Sequence, residues 1–252
     1  MKKLGLIGKN IKYSKSSLLH QKIGEIFGEE INYDLIDVDE REVLKIINLK
    51  KYDGLNITKP YKELAVTATH KLSPIAKKIK AINTIYYKDG KIYGDNTDFY
   101  GFKYLIKYHN IDVKDKKIAI LGTGGAAKSI FYFLKMQSIN VFYVSRSRKD
   151  DLTISYDDFQ NHDFDIIVNA TPVGNYNNPD NSPLAKNQVL DKIVIDLNYN
   201  PKVSLLMSYA KKSYNGLIML IVQALYAHKR WNLKDVKINK KNIEKIKEAL
   251  DV

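Results

Sequence analysis

Short apolar runs alternate with amphipathic stretches along most of the chain, and polar or glycine-rich turns separate them. "KLGLIG" reads as a buried strand entering a glycine turn. After Ser16, the residues Leu19, Ile23, Ile26 and Phe27 recur at i, i+4, i+7 and i+8, which is one face of a helix. "INYDLIDV" then reads as a strand, "REVLKIINL" as a helix and "DGLNI" as a strand. A helix is expected from Lys59, with Thr58 as its cap and Pro60 in its first turn. Ser73-Pro74 opens another short helix by the same logic. "NTIYY" and "KIYG" flank Lys88-Asp89-Gly90, a hairpin signal, so at least one antiparallel pair joins a βα pattern. The layout is α/β with a mostly parallel sheet.

The second half has a different rhythm. A helix from about Asp98 to His109 ends in the polar stretch "NIDVKDKK", a candidate boundary. "KIAILGTGGAAKSIFYFLK" follows as strand, glycine turn and amphipathic helix. "NVFYVS", "DIIVNATP" and "KIVIDLNYNP" are further strands, spaced as in a doubly wound nucleotide-binding domain. "GLIMLIVQALYAHKRW" is a strongly apolar helix, and Ile243, Ile246 and Leu250 share one face of a last one. The expected architecture is therefore two α/β domains. Residues 1–99, completed by helices in 219–252, would hold the substrate, and residues 100–218 would form a Rossmann-type cofactor domain.

Composition narrows the chemistry. With no cysteine among 252 residues, disulfides, iron–sulfur clusters and thiolate zinc sites are excluded. His20, His70, His109, His162 and His228 are scattered, without metal-ligand spacing, so no metal is expected. No apolar run reaches the length of a membrane span, and the apolar part of "MKKLGLIGKN" is short for a signal peptide, so a cytoplasmic protein is expected. The formal charge of +13 comes from evenly spread lysines among many isoleucines, asparagines and tyrosines, as an AT-biased coding sequence produces. It forms no basic stripe interleaved with aromatics, so nucleic acid is the weaker reading. A cationic field does attract small anions.

In "LGTGGAAKS", Gly122 and Gly124 match the first two glycines of the dinucleotide fingerprint, and Ala127 stands where close helix–strand packing needs a small residue. Gly122 allows the tight turn, and Gly124 lets backbone approach a pyrophosphate at the helix N-terminus. An NAD site carries an acid about twenty positions on. This chain has "VSRSRKD" there, with Ser145, Arg146 and Arg148, groups that suit a ribose phosphate. NADP is the expected cofactor.

The ordered set of polar motifs resembles the shikimate dehydrogenase family from end to end. "YSKSSLLH" is similar to its paired-serine motif, and "GLNITKPYK" to its Gly-x-Asn-Val-Thr-x-Pro-x-Lys segment. "AINT", "GDNTDFYG", "GTGGAA", "NATPVG", "YNP" and "GLIMLIVQA" follow in the family's order. The resemblance implies reversible, NADP-dependent reduction of 3-dehydroshikimate to shikimate, a step of aromatic amino-acid synthesis through chorismate. It places Lys62 as the catalytic lysine with Asp98 as its partner, and Ser14 and Ser16 at the substrate carboxylate. Thr58, Asn83, Tyr199 and Gln223 fall at further substrate positions. Gly122, Gly124, Gly125, Ala126, Ser145, Arg146, Thr171, Gly216 and Met219 fall at cofactor positions.

The chain departs from the family at Asn10 and Ser17, where prolines are usual, and at Ser145-Arg146-Ser147, where Asn-Arg-Thr is usual. Each site residue also has a structural reading. Ser16 can cap a helix, Asn83 can serve a turn, Asp98 can cap a helix, and Gln223 needs a polar neighbour inside an apolar run. Two alternatives stay open. One is a quinate/shikimate dehydrogenase using NAD or NADP; the other is a non-catalytic nucleotide-sensing protein of the same fold, which the presence of both Lys62 and Asp98 disfavours. The expected partner is a small molecule, with the chain acting as monomer or homodimer.

Overall fold

A computed structural model describes every residue except Tyr13, Ser138, Ile139, Arg148, Lys149, Lys234, Asp235, Asp251 and Val252. The chain forms two compact units, Met1–Gly101 with Leu220–Asp251, and Phe102–Met219. The divisions fall inside two helices, and the polar stretch at 110–117 lies within the second unit.

The first unit holds β1 (Lys2–Gly8), α1 (Ser16–Phe27), β2 (Ile31–Asp37), α2 (Glu40–Leu49), β3 (Gly54–Ile57), β4 (Lys71–Leu72), α3 (Pro74–Ile79), β5 (Thr84–Lys88) and β6 (Lys91–Asp95). Its sheet runs β2-β1-β3-β5-β6-β4. β1 is parallel to β2 and β3, whereas β5 is antiparallel to β3 and β6. The hairpin between β5 and β6 turns on Asp89 and Gly90, both at positive φ, as the sequence asks. One face packs Ile7, Val43, Ile47, Leu55, Ile57, Ile82, Ile85 and Ile92 into a core. The alternation of strand residues and the Val43/Ile47 stripe of α2 supply that face. Ser73 caps α3 as expected, accepting the Ala76 N–H at 3.1 Å.

The second unit holds most of α4 (Thr97–Tyr108), then β7 (Lys117–Leu121), α5 (Gly125–Lys135), β8 (Asn140–Val144), β9 (Thr153–Ile154), β10 (Ile166–Asn169), β11 (Ile193–Asp196), α6 (Leu205–Tyr209) and β12 (Lys212–Asn215). The sheet order is β12-β11-β10-β7-β8-β9, with every pair parallel. This is the doubly wound order, reversing between β7 and β10. The edge strands β9 and β12 were not expected, because a run of two residues and a mostly polar run of four carry no hydrophobic period. Two further helices, α7 (Leu217–Arg230) and α8 (Lys240–Ala249), lead the chain back into the first unit. Among the described residues, no helix is long and apolar enough to cross a membrane.

One expected helix does not form. The chain after Thr58 makes turns and then a 3-10 helix at Leu64–Ala68, in place of an α-helix from Lys59. Thr67 and Thr69 donate their hydroxyls to the Leu64 and Val66 carbonyls, three residues back, and so compete with an α-helical ladder.

Candidate functional site

The polar residues of the first unit gather along one edge of its sheet. β1 and β3 are parallel and end there, leading into Ser14–Ser16 and Thr58–Lys62 respectively. β5 runs the other way, so Asn83 before its start lies on the same edge. β6 returns to that edge and leads into Asp98, in the first turn of α4.

At the centre, Lys62 Nζ donates to Asp98 Oδ2 at 2.5 Å, with side chains only 15% and 9% exposed. Asn83 sets the other half of that carboxylate. Its Oδ1 accepts the Thr97 N–H at 2.7 Å, which fixes the orientation of the amide. Its Nδ2 therefore faces Asp98 Oδ1 at 2.9 Å and Gln223 Oε1 at 3.3 Å. Gln223 also donates to the Leu220 carbonyl at 2.8 Å, so its amide has partners within the apolar helix. The backbone of Lys62 is anchored as well, because its carbonyl accepts the Ile82 N–H.

Ser14 and Ser16 sit half-buried at the start of α1, and the Ser14 hydroxyl donates to Ser16 Oγ at 2.9 Å. Ser16 is not the cap, since it is the first helical residue; Ser14 Oγ accepts its N–H at 3.2 Å. Thr58 does not cap a helix either, and it is joined to β1 by its N–H on the Ile7 carbonyl. Thr58 and Lys62 share this edge through a turn and not through helical spacing. Asn10 has φ +55, a value that proline cannot take, so the opening loop follows its own path where the family carries proline.

Sequence reading passed over a hydrogen-bonded layer beneath these residues. Buried Asn56 donates to the Asn83 carbonyl at 3.0 Å and accepts the Tyr33 hydroxyl at 2.8 Å. His20 bonds Asn56 and stacks on Tyr33, with ring centroids 4.3 Å apart. His20 Nδ1 lies 2.7 Å from His228 Nε2, and both rings are buried. One proton arrangement satisfies the run: His228 Nε2–H donates to His20 Nδ1, and His20 Nε2–H to Asn56 Oδ1. His228 Nδ1 is then a bare acceptor, without a partner among the described residues. Burial lowers the pKa of His228 to about 3, and burial reinforced by His228 holds His20 well below the ordinary value. Asn56 within the apolar strand "GLNI" was the available signal; the histidine pairing joins residues 208 apart and left none.

In the second unit, the glycine turn joins β7 to α5. Gly122 takes φ +96, and a Cβ there would lie 3.1 Å from Thr171 Cγ2, so the loops after β7 and β10 touch at the point where strand order reverses. Gly124 caps α5 without a side chain, and a Cβ there would meet nothing within 4 Å. The helix N-terminus thus opens its amides and its positive dipole to an anion, which fits a pyrophosphate. Gly125 and Ala126 form the first turn, and Ala127 is fully buried. Thr171 is held by Asn169, whose Oδ1 accepts both its N–H and its hydroxyl. Ser145 N–H donates to the Ile154 carbonyl, and Arg146 is exposed beside it; Arg148 lies outside the described residues. Gly216 is required by space, as a Cβ would lie 2.1 Å from the Leu197 carbonyl oxygen. Tyr199 follows β11 and Met219 lies in the first turn of α7.

The family model for the shikimate dehydrogenase substrate binding domain matches residues 6–85. A relative named shikimate dehydrogenase (NADP(+)), from Clostridium botulinum (strain Loch Maree / Type A3), is 34% identical over 92% of this chain and 97% of its own. The crystal structure of shikimate dehydrogenase 1 from Peptoclostridium difficile is similar with a TM-score of 0.91 and 33% identity, covering 100% of this chain and 98% of that one. A shikimate 5-dehydrogenase from Thermus thermophilus, solved with NADP(H) and shikimate, matches with a TM-score of 0.86 and 26% identity over 100% and 99% of the two chains. With relatives this similar over nearly its whole length, the chain belongs to the shikimate dehydrogenase family.

Proposed function

We propose that the protein is an NADP-dependent shikimate dehydrogenase, interconverting 3-dehydroshikimate and shikimate. The observation that carries this reading is the Lys62–Asp98 pair, with Asn83 orienting the carboxylate from its other side. Bound NADP supplies hydride exchange with the carbon that bears the reacting oxygen. The glycine turn at Gly122, Gly124, Gly125 and Ala126 would hold its pyrophosphate, and Ser145 and Arg146 its ribose phosphate. Thr171, Gly216 and Met219 would complete that site.

The protein's own part is to hold the substrate and move one proton. In reduction, the Lys62 ammonium delivers a proton to the ketone oxygen as it becomes a hydroxyl. In oxidation, the neutral amine takes that proton back. Asp98 keeps the ammonium aimed, and its second oxygen is held by Asn83 so that it cannot swing away. The Ser14 and Ser16 hydroxyls donate to the substrate carboxylate, and Thr58, Asn83 and Gln223 bond the ring hydroxyls; the family resemblance assigns Tyr199 to the substrate as well.

The test is absorbance at the reduced-nicotinamide band after shikimate is added with NADP, and in parallel with NAD or with quinate. Reduction of NADP by shikimate is the expected result. Absence of turnover with every pair would return the chain to a nucleotide-sensing role, and a preference for quinate with NAD would reassign its substrate.

A further inference from the structure

Helix α7 presents Gln223, Tyr226 and Arg230 at i, i+3 and i+7, a stripe about 10 Å long on one face. All three meet the junction between β6 and α4. Gln223 Oε1 accepts from Asn83 Nδ2 at 3.3 Å and from Thr97 Oγ1 at 3.5 Å. The Tyr226 ring stacks on Tyr100, with centroids 4.5 Å apart and planes 19° from parallel. Arg230 Nε donates to Asp95 Oδ2 at 2.6 Å, and Arg230 also bonds the Tyr100 hydroxyl.

Asp95 is a rigid anchor. Its side chain is fully buried, and its other oxygen accepts the Ser73 hydroxyl and the Asn96 N–H. Its main-chain carbonyl accepts the Asn83 N–H at 3.1 Å, and it precedes Asp98 by three residues. The Asp95 carboxylate is therefore fixed relative to both polar residues that hold the Lys62 side of the site. The Gln223 contacts, at 3.3 and 3.5 Å, are too long to hold a helix in place. The apolar contacts of Ile221, Val222, Ala224 and Leu225 bury α7 but are non-directional. Trp231 Nε1, on the Ile85 carbonyl, pins the end of the helix beyond its last turn. Two short polar contacts tie α7 to its neighbours, His228 Nε2 on His20 Nδ1 at 2.7 Å and the charge-assisted one from Arg230; of the two, Arg230 lies on the Gln223 stripe, two turns away, and is suited to fix how that face is turned.

We propose that Arg230 is a positioning residue for the reaction: its ion pair with Asp95 sets the rotation of α7, and so delivers the Gln223 amide to the substrate beside Asn83 and Asp98. The inference rests on the dehydrogenase reading above. Displacement of a binding group by an ångström costs up to about a hundredfold, and a tilted Gln223 loses a substrate contact without touching the proton carrier.

The experiment compares the intact wild type with Arg230→Leu, Arg230→Lys and the double variant Arg230→Leu with Asp95→Asn. Each is assayed for KM and kcat with shikimate and NADP, for NADP affinity, and for Tm. Arg230→Leu is expected to raise KM for shikimate about tenfold, with kcat falling less and NADP affinity unchanged; Arg230→Lys recovers most of the loss. Arg230→Leu also leaves the buried Asp95 charge unpaired and lowers Tm, and the double variant removes that charge and restores Tm. If positioning is the role, KM stays high in the double variant although Tm has returned. A KM that recovers together with Tm, or that stays within twofold of wild type in Arg230→Leu, overturns the inference. A wild type without activity overturns the dehydrogenase reading itself, and the inference with it.

Discussion

Asn83 shows how one side chain can order several others. Because the Thr97 N–H occupies its oxygen, its NH₂ group has one direction left, toward Asp98 and Gln223. The carboxylate is then shared between an amide and the Lys62 ammonium, each on its own oxygen. The paired serines make a second local arrangement, in which the Ser14 hydroxyl is engaged by Ser16 until an acceptor replaces it. On the proposed reading, a substrate carboxylate offers two oxygens to these two hydroxyls, and both donors would turn outward to it. Replacing Ser14 and Ser16 together by alanine is expected to raise KM for shikimate about a hundredfold or more, with kcat little changed, since hydrogen bonds to a charged group contribute roughly 1.5–3 kcal/mol each. Initial rates across a shikimate series check this; an unaltered KM would remove the serines from carboxylate binding.

At the scale of elements, two pieces lead to predictions. The first is the loop after β8, where Arg146 is exposed and Asp150, the acid nearest in the sequence among the described residues, is already committed to Leu152 N–H and the Thr153 hydroxyl. A guanidinium whose neighbour Asp150 is already committed favours a phosphate over a bare ribose. Arg146→Ala is expected to weaken NADP by roughly ten- to a hundredfold and to leave NAD nearly unchanged. Titration of both cofactors at one ionic strength decides; equal losses would make Arg146 a support for the loop. The second piece is the packing of α1 on α7 through His20 and His228, both buried and neutral. An unfolded histidine binds a proton below about pH 6.5, whereas burial makes the folded chain refuse it down to about 3 at His228. Stability therefore falls as pH drops through 6.5, at about 1.4 kcal/mol per unit for His228, and His20 adds to the fall in the same direction. Between pH 7 and 5 the His228 share is about 2 kcal/mol. His228→Phe should flatten the decline by about one residue's share in urea unfolding of the intact chain. An undiminished acid loss would mean that the pair already accepts a proton when folded.

For the whole molecule, the α/β class and the doubly wound second sheet were legible because strands such as "KIAIL" and "DIIVN" are continuous apolar runs at regular spacing. The hairpin at Asp89-Gly90 was legible from turn chemistry that permits positive φ. The edge strands β9 and β12 were not, since one is only two residues long and the other mostly polar, and both depend on neighbours for their pairing. The expected helix after Thr58 failed because propensity and a proline suggested a start, while threonine hydroxyls took the carbonyls that an α-helix needs. In the candidate site, Lys62, Asn83, Asp98 and Gln223 could be named from motifs, and the structure joins these four by hydrogen bonds. Asp95, Asn56 and His20 lie inside quoted motifs, but their pairings could not be read there, because contacts such as Asp95–Arg230 and His20–His228 link residues 135 and 208 apart in the chain and no local pattern records them.

The central claim is that Lys62, held by Asp98, carries the proton while the rest of the site positions the substrate. The most direct measurement is kcat of Lys62→Ala for shikimate oxidation with NADP, made beside a titration of NADP binding to the same variant. The account predicts a loss of roughly 10²–10⁴-fold in kcat, the range of general acid–base catalysis, with NADP affinity unchanged. Turnover within a few-fold of wild type, or a loss explained by failed NADP binding, would contradict it.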